Sequence, residues 1–261
     1  MALRGPRHPL AVIEFVNMPA ITRKPSDADV SRLDRSADFR QAKEFYRGEA
    51  VARDYDFHRL GSRKRRRRDA REWRTILDAL EHTEGVHTTL DVPCGTGRFT
   101  GRLAERGYRV VGSDLSVEMM NVAKSKIEPG GNATAFVQAD AESLPFRDGA
   151  IDCVISIRFL LHAEATTRLR ILREMKRVTR RWLILDYRHR YSLRFQMWRI
   201  KRALGMTDEP LERVTRAEME EELRSAGVSV RTVLPVTRIF SDKWIVIGET
   251  KTEPRAATDL P

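Results

Sequence analysis

Hydrophobic positions along the chain change period several times, and each change predicts an element. Trp73, Ile76, Leu77 and Leu80 recur at i, i+3, i+4 and i+7, one face of a helix. Residues 88–92, Thr-Thr-Leu-Asp-Val, form a short β-prone run. From Arg98 to about Arg106 the period is helical again, with Phe99, Leu103 and Ala104 on one face. Residues 108–114 read as a second strand, Ser116 caps a helix over 117–127, and 133–138 form a third strand. Residues 151–157 are apolar except for Asp152, the pattern of a parallel strand buried on both faces. A helix over 163–180 turns Leu169, Ile171, Leu172, Met175 and Val178 inward, and 182–186 form a fifth strand. Thr215 caps a helix that stops at Gly227, and two β runs follow at 228–236 and 244–247. Strands alternating with helices in this order predict an α/β chain.

The most informative junction is the first strand to its helix. Pro93 lacks an N–H and breaks the strand, while Gly95 and Gly97 permit positive φ and close approach of a ligand to the backbone. A strand, a glycine loop and a helix N-terminus in sequence make a nucleotide-type site, because unpaired N–H groups point at whatever sits there. The dinucleotide fingerprint fails, since Thr100 stands where its third Gly or Ala belongs, and no Gly-Lys-Ser/Thr phosphate loop is present. What remains is an acid-x-x-x-Gly-x-Gly pattern starting at Asp91, followed by a second acid, Asp114, at the tip of the next strand, where it can take both hydroxyls of a ribose.

Together with Gln138-Ala139-Asp140-Ala141-Glu142-Ser143-Leu144-Pro145-Phe146 and Asp148-Gly149-Ala150-Ile151-Asp152-Cys153-Val154, these motifs resemble the class I S-adenosylmethionine-dependent methyltransferases over roughly residues 70–250, nearest to the quinone, small-molecule and lipid branch. The resemblance implies a Rossmann-like, seven-stranded, mostly parallel sheet with helices on both faces and an antiparallel last strand. It implies S-adenosyl-L-methionine as cofactor, with Asp91, Gly95 and Gly97 in the first motif, Asp114 on the ribose, Leu115 on the adenine face, and Asp140 with the Ala141 N–H reading adenine. Pro93 departs from the usual Gly; its carbonyl can still accept from the methionine ammonium, but it donates nothing.

Arg158 and His162 follow the fourth strand on the ligand-facing edge, where Arg158 suits the cofactor carboxylate. His162 is either a base or a helix-start histidine bonded to backbone. Asp186, Tyr187 and His189 end the fifth strand on the same edge, and His189 is the second candidate base. The sulfonium donor is already activated, so a base is needed only for a protonated acceptor. No Asp/Asn constellation suggests a catalytic metal, and metal independence is expected.

Charge changes the picture next. Net charge is +11, which favours acidic partners without choosing among nucleic acid, anionic lipid and anionic substrates. The run Arg63-Lys64-Arg65-Arg66-Arg67-Arg68, leading into the Trp73 helix, is read as a solvated face or a phosphate or lipid patch. Between 190 and 204, Leu193, Met197, Ile200 and Leu204 form a stripe among Arg190, Arg194, Arg199, Lys201 and Arg202, with Phe195 and Trp198. The preferred reading is a surface helix whose stripe packs on the domain; the other is a membrane surface or an acceptor entrance.

The expected organisation is an N-terminal extension over 1–55, partly disordered or capping the site, a methyltransferase domain over 56–250 and a polar tail over 251–261. No apolar run approaches a bilayer span. Cys94 and Cys153 read as reduced thiols, and the location as cytoplasmic, with peripheral contact to an anionic membrane or acidic partner as a further expectation. The function expected is methyl transfer to an oxygen or carbon of a small-molecule or lipid-like acceptor. An RNA methyltransferase and a non-catalytic S-adenosylmethionine-binding subunit are the alternatives. The first draws on the basic surface but lacks the Asn/Asp-Pro-Pro-aromatic tetrad and any recognisable RNA-binding module.

Overall fold

Period-two burial builds the sheet. In the computed structural model, which describes residues 48–127, 134–207, 213–237 and 242–250, Leu183, Leu185 and Tyr187 of the fifth strand join one core and Trp182 and Ile184 the other. Val154 and Val246 likewise face one side, and Cys153, Ile155, Ile245 and Ile247 the opposite side.

Along the chain, α1 (Glu49–Leu60) and α2 (Arg63–Glu81) precede β1 (Thr88–Asp91). Then come α3 (Arg98–Glu105), β2 (Arg109–Asp114), α4 (Val117–Lys126), β3 (Thr134–Gln138) and β4 (Ile151–Ser156). A 3₁₀ turn (Leu160–His162) leads to α5 (Ala165–Val178), β5 (Thr179–Arg188), α6 (Leu193–Ala203), α7 (Arg216–Ser225), β6 (Val228–Pro235) and β7 (Lys243–Thr250). The seven strands lie in the order β3-β2-β1-β4-β5-β7-β6. All neighbours run parallel except β7, which is antiparallel to both β5 and β6. The Rossmann-like sheet with a reversed last strand is therefore present. Its order reverses between β1 and β4, the switch point where open α/β sheets bind ligands.

Helix ends follow the capping chemistry in the sequence. The Ser116 hydroxyl accepts from the Met119 N–H at 3.1 Å. Thr215 and Glu218 form a reciprocal capping box, and Gly227, at φ 79°, terminates α7. Residues of α2 and α3, Ile76, Leu80, Phe99 and Leu103, pack on one face of the sheet, and residues of α5 and α7, Ile171, Met175, Met219 and Leu223, on the other.

Several expectations change. β5 runs well beyond 182–186, because β7 pairs with it from Trp182↔Glu249 to Arg188↔Lys243. The arginine run does not lead into α2 but forms its first turns, with all six cations exposed. The α6 stripe does not pack on the domain: Leu193, Met197, Ile200 and Leu204 are exposed. The helix buries Phe195 instead, stacked on Trp198 at 5.3 Å, and a helix that docks through one side leaves the opposite side in water. The boundary at 55/56 falls inside the continuous helix α1, whose Val51 and Ala52 pack on Met119 of α4. Residues 1–47 of the N-terminal extension and the tail over 251–261 lie outside the described residues.

One set of charges sits where apolar residues are the rule. Glu72, on the inner side of α2, is 1% exposed. It meets Arg158 just past β4, with oxygen–nitrogen distances of 2.5 and 3.0 Å, and also Lys243 at the start of β7. Lys243 in turn meets Asp186 of β5 at 2.6 Å. Burial alone would raise the Glu72 carboxyl, but Lys243, Arg158 and Arg98 outweigh it and hold it well below the usual carboxylate range. Removing one partner of a buried ionic set strands the others. Glu72→Gln is expected to cost about 3–5 kcal/mol of unfolding free energy, measured by denaturant titration; a loss within experimental error would show that the network contributes nothing net.

Candidate functional site

The C-terminal ends of β1, β2 and β4 border one cavity at the switch point. Its floor is the β1–α3 loop. Gly95 has φ 52°, and no atom lies within 4 Å of where a Cβ would stand, so the loop offers bare backbone to the cavity. Pro93 also lines it, after a cis Val92–Pro93 peptide.

Asp114, at the tip of β2, is fixed by two main-chain donors. One carboxylate oxygen accepts from the Gly95 N–H at 2.7 Å and the other from the Ser116 N–H at 2.9 Å. Burial raises its pKa, and the N–H groups of Ser116, Gly95 and Leu115 pull it back only in part. A carboxylate has about four lone-pair positions, more than these donors occupy, so Asp114 keeps acceptor capacity for a ligand. Leu115 lines the cavity beside it.

Asp140 and Ala141 form another part of the wall. Their segment is folded on itself by the Ser143 N–H to Asp140 carbonyl bond, at 2.9 Å, and by the Glu142 N–H to the Asp140 carboxylate, at 3.0 Å. Arg177 of α5 secures the next few residues, donating to the carbonyls of Phe146 and Leu144 at 2.8 and 2.9 Å. Arg158 and His162 complete the wall from the β4 side. Arg158 has φ 64°, a left-handed conformation costly for a side chain with a Cβ. Its N–H donates to Asp186 at 2.5 Å, and its guanidinium is committed to Glu72. The expectation that it serves a cofactor carboxylate therefore meets a side chain already paired with an acid. His162 is buried in the 3₁₀ turn, its N–H bonded to the Phe159 carbonyl.

Three named residues lie outside the cavity lining. Asp91 is 2% exposed and sits beneath the loop, accepting from the Thr100 hydroxyl at 2.6 Å and so tying β1 to α3. Gly97 starts α3 at φ 75°, and a Cβ there would stand 2.7 Å from that of Ala123, so its task is to let α3 meet α4. His189 stacks on Trp244 at 4.4 Å and accepts the Tyr191 N–H on Nδ1 at 3.1 Å, away from the cavity. Asp186 and Tyr187 are also structural, the Tyr187 hydroxyl bonding Glu222 at 2.8 Å.

The sequence reading gave the N-terminal extension over 1–55 a capping role but assigned no site residue within α1. Tyr55 and Arg59 line the cavity, and Asp56 accepts from the Thr96 hydroxyl of the glycine loop at 2.7 Å, seating α1 across the site. Phe99 and Ile157 add apolar wall. Cys94 lines it too; burial, then Asp114 and Asp91, push its thiol well above the usual range, so it stays neutral. Among the described residues, no group of three or more His, Cys, Asp or Glu is arranged to hold a metal ion.

Residues 90–182 match the family model described as a methyltransferase domain. Over that segment the chain is similar to methyltransferase domains. Its fold is that of magnesium protoporphyrin IX methyltransferase from Synechocystis PCC 6803 with bound SAH, at a TM-score of 0.65 and 19% identity over 82% of this chain and all of that one. A ubiquinone/menaquinone biosynthesis C-methyltransferase from Hahella chejuensis is 40% identical over 125 residues, 45% of this chain and 49% of that protein. An uncharacterized 37.1 kDa protein in transposon TN4556 of Streptomyces fradiae is 30% identical over 184 residues, 66% and 52% respectively. The chain thus spans about half the length of the curated relatives it matches.

Asp91 makes the domain's stability depend on pH. Burial raises its pKa to about 7, with the Thr100 bond and Arg98 opposing only in part. Because the folded value lies above the unfolded one, its contribution is complete below the unfolded pKa and is lost as pH rises through about 7. Between about pH 5 and 7, unfolding free energy is expected to carry a downward slope of up to about 1.4 kcal/mol per pH unit from this proton. Asp91→Asn should remove that slope, and identical pH profiles for the two proteins would assign it elsewhere.

Proposed function

We propose that this cavity binds S-adenosylmethionine and that the chain transfers its methyl group to an oxygen or carbon of a small-molecule or lipid-like acceptor, met from the aqueous side of an anionic membrane. The observation that carries the reading is the convergence of Asp114, Asp140 and the open Gly95 backbone on one cavity at the switch point. The residues fit the group: Asp114 keeps acceptor capacity for a vicinal diol, Leu115 offers an apolar face for a purine, and Asp140 with the Ala141 N–H supplies an acceptor and a donor for its edge. The Pro93 carbonyl is available to an ammonium group.

When bound, S-adenosylmethionine supplies a methyl group already activated on a sulfonium. What the chain adds is orientation and exclusion of water. Tyr55, Phe99, Ile157 and Phe159 make an aromatic and aliphatic wall suited to an apolar, ring-bearing acceptor. The relatives' names, a quinone C-methyltransferase and a porphyrin methyltransferase, agree with such a class. For an acceptor that is protonated at working pH, His162 is the group in the wall able to take the proton. Among the described residues no helix is long and apolar enough to cross a membrane.

Asp114→Ala is expected to abolish binding of S-adenosylmethionine and S-adenosylhomocysteine in a calorimetric titration; undiminished binding would remove the ribose assignment. His162→Ala is expected to lower turnover by about 10²-fold or more while leaving cofactor affinity near that of the parent. Equal turnover in the two proteins would retire His162 as the base.

A further inference from the structure

Six of the seven large hydrophobic side chains exposed among the described residues fall between 191 and 206. Four of them make a continuous line on α6: Leu193, Met197, Ile200 and Leu204, exposed by 58, 49, 53 and 68%. At about 100° per residue they fall within an arc of roughly 60°. Phe195 and Trp198, stacked on one another, lie on the other side of the helix, Phe195 buried and Trp198 half-buried. The helix is therefore anchored by its aromatic pair, and its aliphatic line points away from the domain. Tyr191 and Met206 extend the exposed apolar surface at either end.

The charges around that line are of one sign. The helix sequence Leu-Arg-Phe-Gln-Met-Trp-Arg-Ile-Lys-Arg-Ala has four cations and no acid. Lys201 flanks the line, about 70° from its centre, and Arg199 lies farther round the helix on the other side, about 130° from that centre; both are exposed. An exposed aliphatic strip with cations beside it on one helix matches the chemistry of an anionic lipid surface: acyl chains take the strip and headgroups the lysine and arginines. α6 also leaves β5 at its C-terminal end, the edge of the parallel sheet that carries the cavity.

We propose that α6 is a membrane-docking helix that binds anionic bilayers through Leu193, Met197, Ile200 and Leu204, with Arg199 and Lys201 on the headgroups. The proposal deepens the lipid-like acceptor reading and rests on it, since α6 follows the end of β5 on the sheet edge that carries the cavity. It can nevertheless stand or fall separately, because docking requires no cofactor.

The test is co-sedimentation of the full chain, without cofactor, with vesicles of phosphatidylcholine alone and of phosphatidylcholine mixed with phosphatidylglycerol. The parent protein is expected to bind the mixed vesicles at least about tenfold more tightly than the neutral ones. Leu193→Gln/Met197→Gln/Ile200→Gln should cut binding to mixed vesicles at least about tenfold, and Arg199→Glu/Lys201→Glu should erase the preference for phosphatidylglycerol. Both variants change exposed positions, so unaltered thermal melts are expected. Failure of the parent to bind either vesicle would overturn the proposal, as would parent-like binding by the triple variant. A parent dimer that becomes monomeric in the triple variant without lipid would also overturn it, assigning the strip to a second copy of the chain. Cofactor titration, run apart, reports on the methyltransferase reading alone.

Discussion

The geometry of the site rests on a buried carboxylate far from the glycine loop in sequence. Glu72 joins α2 to Arg158 and Lys243, elements separated by up to 171 residues along the chain. Lys243 lies between Glu72 and Asp186, and burial lowers its pKa despite both acids. Asp186 closes the circuit by accepting the N–H of Arg158. An isolated charge in that position would be driven to neutralise. Paired as they are, the groups fix the relative places of α2, β4, β5 and β7. They also hold the backbone of Arg158 in a left-handed conformation that a residue with a Cβ resists. One side of the cavity therefore has a fixed outline before any ligand enters.

The other side is held by hydrogen bonds to main-chain groups. Asp114 ties the glycine loop to β2, and Asp91 ties β1 to α3 through Thr100. Of two acids on adjacent strand tips, one meets the cavity and one lies under it. The distinction is physical. Asp114 has N–H partners and faces open space, while Asp91 has a hydroxyl partner and lies buried beneath the loop; burial raises the pKa of both. Both are necessary to the loop, but only one is placed to touch a ligand.

This division explains what could be read from the residues alone. The succession of strands and helices along the chain, the caps at Ser116 and Thr215 and the cavity residues Gly95, Asp114 and Asp140 rest on local signals: period, turn chemistry and motif spacing. Glu72, Lys243 and Arg59 gave no such signal, because a charge on a helix or at a strand end looks solvated until the fold is known. His189 shows the converse error. Its place after β5 put it on the right edge, yet Trp244 of β7 captured its ring, a contact across 55 residues that no local pattern encodes. Arg158 was correctly placed on the cavity, but its partner on α2 lay beyond any short-range reading.

The same limit governs α6, with opposite consequence. Its sequence offers two faces able to bury, one aliphatic and one aromatic, and periodicity cannot choose between them. Burial falls on the aromatic side, where Phe195 is buried and stacked on half-buried Trp198. The aliphatic line was then left in water, where it costs free energy in proportion to its area. Sequences under selection for folding alone readily replace such positions with polar residues, as the remaining exposed faces of this domain show by their arginines and glutamates. A strip that stays aliphatic beside cations, on the edge of the sheet that carries the cavity, is explained by a second environment for that face rather than by the folded chain itself.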